Sequence, residues 1–271
     1  MSELFIMPPA GKKIARAKSQ LKRDDTIRAL ESLLAGLAEF DPRNMAGKVR
    51  FEIEVVIQEC VMDLNRQPAV RTLFETLARS KNAFVPYTPG QEQKLVGILT
   101  ILHKALSEGK AAEEQEKQDK LEQRRDALLQ KGAEYLKAGD GPRGKSSLRV
   151  LAEEFGEERG MLVQAAELLI GAEFFFEAAE MLEQAIETFP KESKAYGLAA
   201  QTYTQLREYE KAEKVYLKAL KQFGKHPRTL LNLAKVYAAW NKKEEAFRTA
   251  QEAYAKDASL QEAKALIDKF S

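Results

Sequence analysis

Apolar residues recur along this chain at spacings of three and four, and no sustained alternation of period two appears, so the pattern predicts helices throughout. A basic helix from about Lys12 to Lys22 meets Asp24-Asp25-Thr26, residues suited to a helix N-terminus, ahead of the stripe Ile27, Leu30, Leu33, Leu34, Leu37 and Phe40. That makes a helical hairpin, closed by Asp41-Pro42-Arg43-Asn44. Val49 to Leu64 then carries Phe51, Ile53, Val55, Val56 and Val61, and Pro68 opens a helix bearing Val70, Leu73, Phe74 and Leu77. Two prolines and a glycine in Phe84-Val85-Pro86-Tyr87-Thr88-Pro89-Gly90 enforce a loop. A fresh helix starts near Gln91 and runs through Leu95, Ile98, Leu99, Ile101 and Leu102 into Glu113 to Lys120, which is charged on every side. Such a stretch is either a solvated helical connector or part of a coiled coil, and the missing apolar heptad favours the connector. The reading divides the chain into an N-terminal helical domain over 1–109 and a connector over 110–124.

Beyond the connector the chain repeats itself. Ala200, Tyr203, Ala212, Tyr216 and Ala219 shift by thirty-four residues onto Ala234, Tyr237, Ala246, Ala250 and Ala253. The reverse shift gives Ala166, Leu169, Ala178, Leu182 and Ala185, and a further one gives Gly132, Tyr135, Gly144, Leu148 and Leu151. Small residues recur where helices would have to approach closely, with larger ones filling between them. This coordinated pattern resembles the tetratricopeptide repeat (TPR) family, whose units are pairs of antiparallel helices. The resemblance implies an all-α fold, a right-handed α-α superhelix of about four helix pairs. The units expected are 125–158, 159–192, 193–226 and 227–260, followed by a capping helix over 261–271. The first unit is the least faithful: Gly144 replaces alanine, and Gly139-Asp140-Gly141-Pro142 suggests a longer or looser turn than in the other units. The hairpin at 12–42, with Ala17, Ala29 and Leu33 at comparable offsets, is a candidate diverged fifth unit.

Composition narrows the classes. With 43 Lys+Arg against 41 Asp+Glu the net charge is +2, which predicts no general attraction to nucleic acid. The single cysteine, Cys60, lies in an apolar run, so no intrachain disulfide can form and a buried thiol in a reducing, cytoplasmic setting is expected. Basic residues follow the short apolar start instead of preceding it, the reverse of a secretory signal. Leu95 to Leu106 is too short, and too interrupted by His103 and Lys104, for stable membrane insertion.

No catalytic constellation emerges, and neither cofactor nor metal is expected. His103 sits in an apolar helical run and His226 beside Pro227, neither at metal-ligand spacing from other donors. Gly139 to Ser146 lacks the glycine spacing and preceding strand of a phosphate loop. The basic run Lys12, Lys13, Arg16, Lys18, Lys22 and Arg23 could meet phosphate or an anionic membrane, but without interleaved aromatics it reads better as a solvated face.

The resemblance also implies a concave groove lined by first helices. Its positions would be Gln130, Ala133 and Lys137 in the first unit, and Gln164, Glu167 and Gly171 in the second. Lys194, Gln201 and Gln205 follow in the third, and Arg228, Asn232 and Lys235 in the fourth. Gln130, Gln164 and Asn232 share one repeat offset, interrupted by Leu198, and amides so spaced can both donate to and accept from an extended peptide backbone. The expected function is therefore a non-enzymatic adaptor or chaperone-like scaffold that holds a peptide or helix of a partner protein. The alternative is a structural subunit of a larger assembly, with the N-terminal domain supplying homo-oligomer contacts.

Overall fold

The computed structural model describes residues 7–77 and 84–271, with the side chain of Leu77 also left aside; Phe5 and Ile6 lie outside the described residues. The described residues form helices α1 to α13 and no strand. They divide into two compact units, Met1–Asp119 and Lys120–Ser271.

In the first unit, Pro9 occupies the first turn of α1 (Pro9–Leu21), where its missing N–H costs nothing. α1 buries Ala10, Ile14, Ala17 and Leu21 against Ala29, Leu30, Leu33 and Leu37 of α2 (Thr26–Glu39). The two helices touch at Gly36, where an added Cβ would come within 2.5 Å of Ile14 Cγ1. Asp25 precedes α2 but its side chain makes no capping bond. The turn is instead closed at the end of α1: Asp24 takes a left-handed conformation with φ 57°, and Asp25 N–H donates to Gln20 C=O at 3.1 Å.

After a turn of 3-10 helix (Pro42–Asn44), α3 (Gly47–Arg66) and α4 (Pro68–Leu77) follow. α3 buries Ile53, Ile57, Cys60, Val61 and Leu64. Phe51 and Val55, apolar positions of the same helix, are instead 66% and 39% exposed, because they lie on its far side. Between α3 and α4, buried Gln67 donates to Leu21 C=O at 3.0 Å and accepts from Thr26 at 3.3 Å, tying this junction to the first hairpin. Asn65 holds the 84–91 loop by exchanging two hydrogen bonds with the Val85 backbone. α5 (Glu92–Lys137) buries Leu95, Leu99 and Leu102 and then runs fully exposed from 108 to 124.

The second unit pairs the C-terminal end of α5 with α6 (Gly141–Phe155), through Gly132 against Leu148 and Gly144 against Leu136, and likewise α7 (Met161–Gly171) with α8 (Phe175–Thr188), α9 (Ser193–Gln205) with α10 (Tyr209–Phe223), and α11 (Pro227–Ala239) with α12 (Lys243–Lys256); α13 (Gln261–Phe270) closes the series. Ala166, Ala200 and Ala234 on first helices, and Ala178, Ala212 and Ala246 on second helices, are completely buried, as close helix approach requires. In the first pair glycines take these places. An added Cβ on Gly132 would meet Leu148 Cδ2, and one on Gly144 would meet Leu136 Cδ2, each at 2.6 Å. Leucines thus occupy the volume that the alanine methyls fill elsewhere.

The first turn is not longer than its siblings. All four turns inside the pairs have three residues, and each places a left-handed residue at the thirty-four-residue period: Gly139, Glu173, Arg207 and Asn241, with φ from 61° to 81°. Each closes with the Schellman pair of bonds, such as Asp140 N–H to Tyr135 C=O at 2.9 Å and Gly139 N–H to Leu136 C=O at 3.1 Å. Gly139 is the residue best suited to this conformation, so the first unit, with its run of glycines, has the least strained turn.

Successive pairs are latched by a recurring hydrogen bond. The Tyr203 hydroxyl of α9 donates to Glu183 of α8, and the Tyr237 hydroxyl of α11 donates to Glu213 of α10 at 2.6 Å. Lys211 sits over the Tyr203 ring and Lys242 over the Tyr237 ring, at 5.1 and 5.8 Å from the ring centres.

Candidate functional site: the groove of the first helices

First helices meet one another as well as their own partners: α7 contacts α9, α9 contacts α11, and α11 contacts α13. They expose a shared surface on which ion pairs bridge neighbours. Lys194 Nζ of α9 lies 2.6 Å from Glu167 Oε1 of α7, and Lys235 of α11 pairs with Glu262 of α13.

Between α9 and α11 this surface sinks into two hollows that share Tyr216 and Asn232. One, of about 330 Å³, is lined by aromatic Tyr196, Tyr216 and Phe223, by Gly197 and Ala219, and by polar Ser193, Lys194, His226, Thr229 and Asn232. The other, of about 210 Å³, is lined by Gln201, Thr204, Gln205, Tyr216, Asn232, Lys235 and Val236. Tyr196 meets Phe223 edge to face with ring centres 5.4 Å apart, and its hydroxyl donates to Pro190 C=O at 3.1 Å. Burial pushes the Tyr216 hydroxyl up to about 12, against the opposing effect of a hydrogen bond with Asn232. Tyr216 is therefore a neutral phenol at ordinary pH. Gly197 faces open space, with nothing within 4 Å of where a Cβ would stand.

Of the sequence-derived positions, the structure brings Lys194, Gln201, Gln205, Asn232 and Lys235 together around these hollows. Glu167 joins through its pair with Lys194. The others stand apart. Gln130 donates to Glu134 on its own helix at 2.8 Å. Lys137 and Gln164 are exposed without lining either hollow. Arg228 acts on Asp257, whose carboxyl is held below its ordinary range chiefly by hydrogen bonds from Ser259 and to a smaller degree by the Arg228 charge. The sequence pattern did not single out Tyr196, Tyr216 and Phe223 as groove residues. They sit at core offsets of the repeat, yet one edge of each reaches the hollow, and only the open place at Gly197 signals that there is room for a ligand.

The second-helix face has a different character. Its hollow between α8 and α10 is edged by Glu183, Glu187, Lys211, Lys214 and Lys218. A second hollow, between α6 and α8, has Lys145 and Arg149 opposite Glu177 and Glu180. Elsewhere, the Cys60 thiol is fully buried and pushed up to about 12 by that burial. His103 meets a single carboxylate, Glu31, at 3.4 Å. Among the described residues no cluster of three or more His, Cys, Asp or Glu could hold a metal ion, and no helix is long and apolar enough to cross a membrane.

Stacked antiparallel helix pairs with small residues at the crossings and one turn geometry repeated throughout define a helical-repeat solenoid. Residues 175–228, from α8 into α11, match the tetratricopeptide repeat family model, and they lie inside the series of stacked helix pairs that makes up the second unit. No curated protein sequence matches the chain. Solved structures with similarity include MamA, at 13% identity and TM-score 0.43 over 50% of this chain and 80% of that one. YrrB, described as a TPR protein with an unusual peptide-binding site, is 21% identical at TM-score 0.38, over 44% of this chain and 62% of that one. TTC0263, a thermophilic TPR protein of Thermus thermophilus, is 18% identical at TM-score 0.39, over 54% and 80%.

Proposed function

We propose that the repeat half is a protein-interaction module that holds an extended segment of a partner protein along the groove between α9 and α11. The observation that carries this reading is the combination in one place of amides, hydroxyls and an unfilled apolar recess. Gln201, Gln205 and Asn232 offer donors and acceptors to a peptide backbone. Beside them, the space over Gly197, walled by Tyr196, Tyr216 and Phe223, takes one large apolar side chain. Lys194 and Lys235 are engaged by Glu167 and Glu262, so the groove carries no uncompensated charge from these residues and suits a polar, uncharged backbone with an apolar anchor. The module acts as a non-enzymatic scaffold.

Random peptides displayed on phage and selected against the full chain test the proposal. Gly197→Leu fills the recess. It should also raise helix stability, since a glycine inside a helix costs about 1 kcal/mol relative to good helix formers. Selected peptides should bind the wild type, lose binding to Gly197→Leu, and keep binding to Lys214→Ala on the second-helix face. Equal binding to Gly197→Leu and the wild type would sink the assignment of the groove.

A further inference from the structure

We propose that the exposed stripe on α3 is a homodimer face, packing antiparallel against α3 of a second copy about a two-fold axis between Gln58 and Glu59. The surface belongs to the N-terminal unit and is independent of the groove. α3 already buries one face, and the apolar residues on its opposite face stand exposed among the described residues. Phe51, Val55 and Met62 are 66%, 39% and 51% exposed and lie on one stripe at helical spacing. Phe84, 64% exposed, precedes the Val85 that Asn65 holds by two hydrogen bonds, and so adds a second ring at the C-terminal end of the same helix.

Along the helix the stripe is aromatic, aliphatic, aliphatic, aromatic. Reversed, it has the same order, which is what a two-fold contact of a surface with itself requires. An antiparallel pairing sets Val55 against Met62 of the second copy, and the reverse, with Phe51 near the second copy's Phe84 at each end. The charges agree: Glu52 falls beside Arg66 of the second copy, twice, an exposed guanidinium that its own Asp63 holds only at 3.5 Å, whereas a parallel pairing would align Glu52 with Glu52 and Arg66 with Arg66. Glu59, nearest the axis, is neutralised by Lys18 at 2.5 Å within its own chain. A heterologous partner would need neither the palindrome nor the reciprocal charges.

The area limits the strength. The 20 residues of α3 give a contact about 30 Å long and roughly 10 Å wide, so roughly 300 Å² per copy. That is below the roughly 800 Å² per partner of a stable complex, so the dimer is a weak, reversible one.

Sedimentation equilibrium of the full chain tests this over loading concentrations from about 5 to about 500 µM, the range in which weak complexes associate. The mass should rise from the monomer value of 30.5 kDa toward twice that figure. Val55→Glu and Met62→Lys, both at exposed positions, should each weaken association at least tenfold with unchanged circular dichroism. Glu52→Arg should weaken it, and Glu52→Arg with Arg66→Glu should restore it. A constant monomer mass overturns the proposal, as does a dimer that survives both apolar substitutions. Failure of the charge swap to restore association overturns the antiparallel arrangement.

Discussion

Replacing Glu173 with glycine should stabilise the repeat half, although glycine is the weaker helix former. Glu173 stands between α7 and α8 with φ 63°, and its own side chain makes no hydrogen bond or ion pair among the described residues. Holding a side-chain-bearing L-residue in the left-handed region costs roughly 1–2 kcal/mol through contact of Cβ with the backbone, which glycine escapes. Against this, glycine frees the unfolded chain, a loss of about 0.4–1 kcal/mol. The net gain is about 0.5–1 kcal/mol, and for a unit of this size each kcal/mol moves the melting midpoint by roughly 2–4 °C. Arg207→Gly should behave alike, Asn241→Gly should gain less because asparagine tolerates this conformation, and Gly139→Ala should lose about 1 kcal/mol. Urea titrations of the four variants, followed by circular dichroism at constant slope, give the comparison. If Glu173→Gly and Arg207→Gly lower the midpoint while Gly139→Ala leaves it unchanged, the shared Schellman geometry is wrong and the explanation of the first unit falls with it.

Gly132→Ala should destabilise, although alanine favours helix, because its methyl would stand 2.6 Å from Leu148 Cδ2; overpacking of this kind costs about 1–3 kcal/mol, and a raised melting midpoint would contradict it. Gln67→Ala leaves the buried Thr26 hydroxyl without its partner and takes from Leu21 C=O one of its two donors, Asp24 N–H at 3.1 Å remaining, at a cost of about 1–3 kcal/mol readable in chemical denaturation. Native Cys60 should resist thiol reagents until the first unit opens, since its thiol is fully buried. Its titration adds a pH dependence: the unfolded thiol loses its proton near 9.0 and the folded one only near 12. The folded state therefore binds more protons across that window, and stability falls as pH rises through it, by at most about 1.4 kcal/mol per pH unit. Denaturation at pH 8.5 and 10 should show this fall in the wild type and a smaller one in Cys60→Ala.

The repeat half was legible because its alanines and tyrosines recur at a fixed interval, and each unit can only bury its apolar face against the next. Its turns were not, because Glu173 and Arg207 carry no composition signal of a left-handed residue: the Schellman bonds and the packing of the helices on either side hold them there against their own preference. The same effect misled the reading of Gly139-Asp140-Gly141-Pro142, where turn-favouring residues suggested a looser connection than the three residues that form. In the N-terminal unit, periodicity identified the helices but not which apolar positions they bury. Phe51 and Ile53 are two residues apart on one helix, and it is the neighbour α1, whose Gly11 lies against Ile53, that takes Ile53 inside. The groove was half legible: repeat offsets led to Gln201, Gln205, Asn232 and Lys235, whereas the aromatic walls occupy positions that look purely structural.

That division makes binding and stability separable in the repeat half. Ala166, Ala200 and Ala234 are sealed between helices, so any change to them disturbs the stack before it reaches a ligand. The groove's ion pairs are partly exposed, with Lys194 and Lys235 about half accessible. Exposed pairs contribute roughly 0–1 kcal/mol each. Lys235→Glu should therefore repel Glu262 and leave the helix stack close to its wild-type stability while it alters the charge at the rim of the smaller hollow. A large loss of stability in that variant would mean that the pairs between first helices hold the solenoid together, and that groove substitutions cannot be read as binding effects.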